Sequence, residues 1–292
     1  MQTSGVVILN FNSANTTIQL VNRLEKFSYF EKVVIVDNCS NDNSFDILRK
    51  IVSNKVDVIQ TKENKGYSYG NNYGIKFLEK FKLDIIFIAN PDVNFEEVVV
   101  KRIIDVFSDK RYRDYALLSS ARVDSDKQFT QNQHWKIPTY TREIMDCFFL
   151  LRLLNKKKAI YSFNKNSCDI IDVEVVPGSF FAVRADVLKN IGYFDENVFL
   201  FYEENILAYK LKNKNYKEGI LTKYHYIHDH DNSSTISLEA SSKALEISMR
   251  SALYFQKKYN AINKLEIKIL EIGMRYCLFE RKILIKIKKR FN

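Results

Sequence analysis

The strongest constraint on the fold is an apolar run that stops abruptly at a proline. Residues 85–89 read Ile-Ile-Phe-Ile-Ala and are followed at once by Asn90, Pro91 and Asp92. A short, unalternating apolar run is typical of a strand buried on both faces of a parallel sheet. Ligands of open α/β sheets bind outside the carboxyl ends of such strands, so Asp92 is a candidate substrate or metal ligand. The alternative is a simple turn into the next helix, capped by Asp92 or Asn94.

Strands and helices alternate along the first third of the chain. The pattern predicts strands at 6–10, 33–36, 56–60 and 85–89, joined by helices that end near residues 26, 52 and 81. This spacing indicates an α/β fold with a mostly parallel, Rossmann-like central sheet flanked by helices. A helix at 96–108 and a strand at 115–120 extend the series.

The pattern breaks down between residues 122 and 169, which contain the single tryptophan, Trp135. An irregular segment of this length is either functional, as a lid or acceptor site, or conceals a helix. Regular structure resumes with two short strands around Pro177-Gly178, a helix at 185–190 and a helix at 204–213. Beyond residue 236 the sequence is helical to its end.

The chain has a formal charge of +10, which suggests an anionic partner. A nucleic-acid-binding protein would place basic residues and interleaved aromatic residues in the sheet region, whereas much of this charge lies in the last thirty residues. We therefore expect no nucleic acid partner. A membrane surface and a phosphorylated small molecule both remain candidate anionic partners.

Cysteine usage and the lack of long apolar runs indicate a cytosolic protein. Four scattered cysteines show neither zinc nor disulfide spacing: Cys39, Cys147, Cys168 and Cys277. Met1 leads almost directly into the first strand without a signal-peptide core, and no run approaches the ~18 residues of a membrane span. We expect a cytoplasmic location, with peripheral attachment to the inner face of the cell membrane left open.

Polar side chains cluster where the predicted strands end, at Asn10 to Asn12, Asp37 and Asn90 to Asp92. Parallel strands bring these ends to one edge, where a carboxylate can hold Mg²⁺ or Mn²⁺ against a diphosphate. The later pair Glu203-Glu204 is a further candidate. Three histidines follow the later strands and could add an imidazole ligand, although we expect at least one to be an ordinary surface or core residue: His225, His228 and His230.

Several motifs occur together in one order between residues 5 and 235. They are Val-Ile-Leu-Asn-Phe-Asn, Val-Asp-Asn-Cys-Ser-Asn-Asp, Asn-Lys-Gly-Tyr-Ser-Tyr-Gly-Asn-Asn-Tyr-Gly, Ala-Asn-Pro-Asp-Val, and Gly-Tyr-Phe-Asp-Glu followed by Phe-Leu-Phe-Tyr-Glu-Glu. In these the chain resembles bacterial family 2 glycosyltransferases of the GT-A fold, most closely their rhamnosyltransferase-like members. The resemblance implies a catalytic domain over 1–235, with a basic helical extension over 236–292.

The resemblance further implies an inverting transfer in cell-surface polysaccharide synthesis. The donor would be a UDP- or dTDP-sugar, with dTDP-rhamnose as one candidate, and the acceptor a saccharide, in particular a lipid-linked one. Asp37 would bind the base or ribose, and the loop from Asn64 to Asn72 the nucleotide-sugar. The implied donor site as a whole comprises Asn10, Asn12, Asp37, Asn38, Asn64, Gly66, Asn71, Asn72 and Asn90.

The metal site implied by the resemblance requires Mg²⁺ or Mn²⁺. Asp92 matches the last acid of the family's Asp-x-Asp motif, while Asn90 stands in place of its first aspartate. His228 is the best match to the family's metal-binding histidine, with His230 close behind.

The catalytic base implied by the resemblance is Glu204, the second acid of the family's usual Glu-Asp pair. Glutamate replaces the usual aspartate there and adds a methylene group, so the choice between Glu203 and Glu204 stays open.

Two other functions compete with this interpretation. A nucleotidyltransferase would be expected to have a glycine-rich basic loop after the first strand. Residues 10–15 read Asn-Phe-Asn-Ser-Ala-Asn, with neither glycine nor lysine. A catalytically silent relative that only binds a nucleotide-sugar stays open because of Asn90.

The C-terminal segment admits two hypotheses. Residues 264–290 contain nine Lys or Arg against three Glu, with isoleucines and leucines between them. This mixture of basic and apolar residues is typical of a helix lying in the interface of an anionic membrane. Alternatively, the apolar residues pack on the catalytic domain or on a second copy in a homodimer, and the lysines are merely solvated.

Overall fold

A computed structural model describes residues 2–130, 133–152, 169–228 and 238–291, with the side chains of the last two helices described over 242–283. The strands are β1 (Ser4–Asn10), β2 (Lys32–Asp37), β3 (Val56–Gln60), β4 (Ile85–Ala89), β5 (Val93–Phe95), β6 (Tyr115–Val123), β7 (Ile170–Val173), β8 (Phe180–Arg184) and β9 (Lys217–His228). The helices are α1 (Ala14–Leu24), α2 (Ser44–Leu48), α3 (Tyr67–Leu78), α4 (Glu97–Ser108), α5 (Tyr140–Cys147), α6 (Ala185–Asn190), α7 (Glu203–Lys212), α8 (Leu238–Lys258) and α9 (Lys264–Phe291).

Within the described residues these strands form one mixed sheet, in the order β3-β2-β1-β4-β8-β6-β9-β5, with β7 also paired to β9. Strands β1 to β4 run parallel, as the apolar runs predicted. Strand β8 then enters antiparallel to both β4 and β6. The 12-residue strand β9 pairs with β7 through its first half and with β5 through its end.

The sheet has helices on both faces because its central strands are apolar on both sides. In β1, Val6 and Ile8 face a core completed by α1 and α4, whereas Val7 faces a core completed by α3, α6 and α7. Successive side chains of a strand point to opposite faces, so a continuous apolar run serves two cores. The predicted layered α/β architecture is confirmed, and it places the carboxyl ends of β1, β2 and β4 at one edge.

The irregular middle segment does conceal a helix, α5. Its start is capped by Thr139, whose side chain accepts a hydrogen bond from the backbone N–H of Arg142. Its end is buried at Cys147, where a Cβ atom on Gly273 of α9 would lie 3.1 Å from the Cβ of Cys147. The helix escaped sequence analysis because its partners, Tyr202 and residues of α8 and α9, lie far away in the chain.

The C-terminal helices are joined to the sheet domain through Asp195, which is 7% exposed. Its carboxylate accepts hydrogen bonds from Lys258 Nζ at 2.8 Å and from the hydroxyls of Tyr254 at 2.9 Å and Tyr259 at 2.6 Å. Burial acts to raise the pKa of Asp195, but these donors lower it below its usual range. The domain boundary expected at residue 235 falls outside the described residues and stays a prediction.

We predict that Asp195→Asn lowers the free energy of unfolding by about 1–2 kcal/mol, because hydrogen bonds to a charged acceptor become bonds to a neutral one. Urea denaturation measures the change. Asp126→Asn, at an exposed turn, is the control and should stay within about 0.5 kcal/mol of wild type. Equal stability of all three proteins would show that this junction is unimportant.

Candidate active site

Asp92 and His228 lie together at the edge of the sheet. Strands β5 and β9 are antiparallel and pair Val93 with His228, which places the imidazole beside the residue that precedes Val93. The Asp92 Oδ2 atom lies 3.2 Å from Nε2 of His228. The imidazole is buried, whereas the carboxylate is 39% exposed and open to solvent.

This pair is suited to a divalent cation. A carboxylate oxygen and an imidazole nitrogen at one point are ligands that Mn²⁺ accepts, and diphosphate oxygens and water commonly complete such sites. Among the described residues there is no group of three or more potential ligand side chains. His225, three residues before His228 on β9, is exposed, and His230 lies outside the described residues.

Glu203 and Glu204 form the first turn of α7, after two strained residues. Phe201 and Tyr202 both have left-handed backbone conformations, with φ of 66° and 69°, which bulky side chains rarely adopt. This kink ends the preceding loop and aims the first turn of α7 at the sheet. The strain is local to the residues that place the two carboxylates, as is common at functional sites.

Both carboxyl groups of this turn favour their protonated forms. Burial raises the pKa of Glu203 well above its ordinary value, and the neighbouring charge of Glu204 raises it further. Burial likewise raises the pKa of Glu204. Within the described residues the Oε2 atom of Glu203 is buried without a hydrogen-bond partner. Two acidic groups with raised pKa values, side by side at the edge of the sheet, are candidates for proton transfer.

The turn at residues 177–179, just before β8, connects these acids to the strand end at Asn90. The backbone N–H of Gly178 donates to Oε1 of Glu204 at 3.3 Å. The backbone N–H of Asn90 donates to the carbonyl of Ser179 at 2.8 Å. A Cβ atom at position 178 would lie 2.9 Å from Oε1 of Glu204, so only glycine lets the carboxylate approach this closely.

The donor loop implied by the sequence also reaches this turn, through Tyr67. Its hydroxyl donates to the carbonyl of Gly178 at 2.6 Å. Burial raises the pKa of Tyr67, and the charges of Glu203 and Glu204 raise it further. Gly66, directly before it, has φ of 98°, and a Cβ atom there would lie 1.8 Å from the carbonyl oxygen of Phe199. The loop can pass this close to the segment leading to α7 only with glycine at position 66.

Asp37 is buried at the end of β2 in a closed hydrogen-bond network. Its oxygens accept from Asn10 Nδ2 at 2.8 Å, Gln60 Nε2 at 3.0 Å, and both the backbone N–H and the hydroxyl of Ser40. Asn12 accepts from the backbone of Asn41 at 2.8 Å and so fixes the same loop. In this structure Asp37 orders the loop after β2, and its predicted contact with a base or ribose stays a prediction.

The remaining asparagines of the implied donor site divide into two groups. Asn38 donates to Oδ1 of Asn64 at 3.0 Å and so ties the two loops of this edge together. Asn71 is buried, and its Oδ1 has no partner within the described residues. Asn72 instead uses its amide on the turn after α6, donating to the carbonyl of Phe194 and to Glu196. Asn72 therefore anchors α3 to that turn.

The middle segment supports α7 from outside. Trp135 donates its indole N–H to Oδ1 of Asn205, on the first turn of α7, at 2.7 Å. The hydroxyl of Tyr202 donates to the carboxylate of Glu143 on α5. Burial raises the pKa of Glu143 to about 7, partly offset by the bond from Tyr202. These side chains hold the acidic turn and were missed by sequence analysis, as were Tyr67 and Gly178. The Pro-Gly pair before a strand was the one available signal.

The chain was compared with known proteins. The family model described as glycosyl transferase family 2 matches residues 5–192. The low-salt glycan biosynthesis hexosyltransferase Agl10 of Haloferax volcanii is 25% identical over 286 residues, which are 96% of this chain and 86% of the relative.

Solved structures confirm the GT-A fold expected from the sequence. The mannosyltransferase PcManGT of Pyrobaculum calidifontis, in complex with GDP-Man and Mn²⁺, has a TM-score of 0.60 at 12% identity, covering 97% of this chain and 73% of that chain. GalNAc-T7 with UDP, GalNAc and Mn²⁺ has a TM-score of 0.59 at 16% identity, covering 96% of this chain and 56% of that chain. At these identities the likeness concerns the fold alone.

We predict that Glu143→Gln makes stability less dependent on pH. Because the folded pKa of about 7 lies above the ordinary 4.5, the folded state binds this proton more tightly, and its stabilisation is lost progressively as pH rises from 4.5 through 7. At pH 4 the variant should match wild type, and at pH 8 it should be more stable by on the order of 1–3 kcal/mol. Thermal denaturation at both values measures this.

The matched control for that experiment is Glu246→Gln, at an exposed position on α8. Its stability should change with pH in parallel with wild type. A Glu143→Gln protein that also runs parallel to wild type would show that Glu143 ionises normally.

Proposed function

Because the chain belongs to glycosyltransferase family 2, we propose that it is an inverting, metal-dependent hexosyltransferase. It would move a sugar from a nucleoside diphosphate donor to a saccharide acceptor. Family membership favours this reaction over nucleotidyl transfer. The pair of buried Glu203 and half-buried Glu204 favours an active enzyme over a silent relative, because two adjacent acids shielded from water lower stability without a chemical role.

One observation carries the proposal. The acidic turn of α7 and the strand end that leads to Asp92 are bound to the same turn, through Gly178 and Ser179. The proposed proton acceptor and the strand end before the proposed metal-binding carboxylate are thus held by one short piece of backbone. This is the arrangement that a displacement between an acceptor hydroxyl and a sugar diphosphate requires.

The chemical roles follow from this arrangement. Glu204 takes the proton of the acceptor hydroxyl as its oxygen attacks the anomeric carbon, and the raised pKa makes its carboxylate a stronger base than an exposed one. Asp92 and His228 would hold Mg²⁺ or Mn²⁺, which supplies positive charge for the departing diphosphate. A single displacement inverts the configuration at the anomeric carbon.

The donor would lie along the loops after β1, β2 and β3. Asp37 and Asn38 shape the pocket for base and ribose, and the loop from Asn64 to Asn71 closes over the sugar diphosphate. The unpartnered, buried Oδ1 of Asn71 is an acceptor available to a ligand hydroxyl. We assign a pyrimidine nucleotide, UDP or dTDP, as the sequence resemblance implies, with dTDP-rhamnose among the candidate donors.

The acceptor proposed is a lipid-linked saccharide of cell-surface polysaccharide synthesis, glycosylated in the cytoplasm. The described cysteines support a reducing compartment, because Cys39, Cys147 and Cys277 are free thiols. Burial raises the pKa of the Cys147 thiol, and the neighbouring thiol of Cys277 raises it further. In an oxidising compartment such neighbours would tend to pair.

We predict that Asp92→Ala and His228→Ala each weaken Mn²⁺-dependent binding of UDP or dTDP by at least about tenfold, because each removes one of two protein ligands. Isothermal titration with and without Mn²⁺ measures this directly. The fold should survive Asp92→Ala, because a half-exposed strand-end carboxylate contributes little to the core.

The matched control is His225→Ala, an exposed histidine on the same strand, which should bind as wild type does. Unchanged Mn²⁺-dependent binding in Asp92→Ala would overturn the metal assignment. If His225→Ala weakens Mn²⁺-dependent nucleotide binding as much as His228→Ala does, the metal site lies elsewhere on β9.

We predict that Glu204→Gln retains donor binding and loses turnover by about 10²–10⁴-fold, as removal of a general base does. Glu203→Gln is the paired comparison, since it removes a carboxylate one position away. Steady-state transfer rates, with titration of the donor as the binding readout, separate the two. If Glu203→Gln is inactive and Glu204→Gln is not, the base is Glu203.

A further inference from the structure

Helix α9 has two apolar faces, of which only one is covered by other described residues of the chain. Leu270, Met274 and Cys277 are buried against α5 and α8. Arg152 reinforces this contact by binding Glu280 at 3.1 Å. The packing hypothesis for the C-terminal segment therefore holds for this face of α9.

The opposite face carries a continuous apolar stripe that no described residue covers. Its members alternate four and three positions apart: Leu265, Ile269, Ile272, Tyr276, Phe279 and Ile283, each at least 40% exposed. This spacing keeps all six on one side of a helix. At 1.5 Å per residue the stripe is about 27 Å long.

The stripe continues onto the residues that follow α5. The rings of Phe148 and Tyr276 lie with their centres 5.5 Å apart. Phe149, Leu150 and Leu151 are also exposed, Leu150 by 73%. Together with the stripe of α9 these four residues form what we call the tail surface. It contains ten of the sixteen exposed large apolar side chains in the described part of the chain, a concentration that marks an interaction site.

The charges beside the tail surface are basic. Lys268, Arg275 and Lys282 recur every seven residues, immediately before a member of the stripe, and all three are exposed. The three acids on this helix have other partners: Glu271 pairs with Lys257 and Glu280 with Arg152, and Glu266 accepts a hydrogen bond from the backbone N–H of Asn263. The exposed apolar stripe is thus edged by positive charge that its own helix does not neutralise.

We propose that the tail surface docks on an anionic lipid bilayer, with the stripe and Phe149 to Leu151 immersed at the level of the headgroups. An amphipathic helix with a basic edge binds in this way, through apolar burial and attraction to acidic lipids. No described helix is both long and apolar enough to cross a bilayer. This proposal does not depend on the identity of the sugar donor.

A second copy of the chain fits the tail surface less well. If two stripes paired antiparallel, the row of Lys268, Arg275 and Lys282 would face itself, and like charges would repel. If they paired parallel, Arg275 would face Glu280 of the second copy, an acid already bound to Arg152. The edge charges complement an anionic surface and do not complement themselves.

The test uses the full chain and vesicles of phosphatidylcholine with or without phosphatidylglycerol. We expect cosedimentation with the anionic vesicles only, and weaker binding as salt rises, because screening acts on the basic edge. Binding that is equal on neutral and anionic vesicles, or absent from both, would overturn the proposal.

Two variants address the two parts of the surface. Ile272→Gln with Phe279→Gln removes apolar area at positions 66% and 62% exposed. The triple variant Lys268→Glu with Arg275→Glu and Lys282→Glu reverses the charge of the basic edge. We expect the partition coefficient to fall at least about tenfold in the first and about a hundredfold in the second.

Matched controls carry the same substitutions elsewhere on the surface. Val52→Gln with Val98→Gln alters residues 54% and 52% exposed, and Lys26→Glu with Lys50→Glu and Lys110→Glu makes an equal change in net charge. Both should bind vesicles far better than their counterparts. If controls and counterparts bind alike, the tail surface is not the docking site.

Two further measurements keep the result interpretable. Thermal denaturation should give the same midpoint for all variants, since exposed substitutions rarely change stability. Analytical ultracentrifugation tests the alternative occupant. The alternative holds if the wild-type protein is a dimer that does not bind vesicles, and if the variant Ile272→Gln with Phe279→Gln is a monomer. The tail surface would then be the interface with a second copy.

Discussion

Two hydrogen bonds made by the backbone of residues 178 and 179 hold the candidate site together. The N–H of Gly178 donates to the side chain of Glu204, and the carbonyl of Ser179 accepts from the N–H of Asn90. Both exist because β8 enters the sheet antiparallel to β4, which brings the turn before β8 to the end of β4. Tyr67 binds the same turn from the donor loop. The acid pair, the strand end and the donor loop therefore share one piece of backbone, and a shift of that turn would move all three.

The geometry of the candidate site also shields carboxyl groups from water, which has a cost in free energy. Burial raises the pKa of Glu203, Glu204 and Glu143, so each is harder to ionise than in water. Burying an acid without full compensation lowers stability, and a fold retains such groups chiefly where chemistry or a specific contact uses them. In the proposed reaction Glu203 and Glu204 fit the first case. Glu143, bound to Tyr202 beside them, fits the second.

The proposed docking surface and the proposed active site are connected through α5. One side of this helix supports the turn before α7 through Glu143, and its end packs on α9 through Cys147. An enzyme docked by the tail surface would therefore hold its acidic turn one helix away from the lipid. That position suits an acceptor carried on a lipid, so the two proposals agree although they rest on different residues.

Local sequence patterns were enough to predict the parallel half of the sheet, the positions of Asp92 and His228 near a strand end, and the basic apolar tail. These features are visible in short stretches of sequence, because a buried strand must be an apolar run whatever packs on it. Long-range packing set the antiparallel direction of β8, the formation of α5, and the face of α9 that is covered. It also decided that the oxygens of Asp37 bind Asn10, Ser40 and Gln60 and that Asn72 anchors α3. Each of these depends on partners distant in the chain, which no local pattern records.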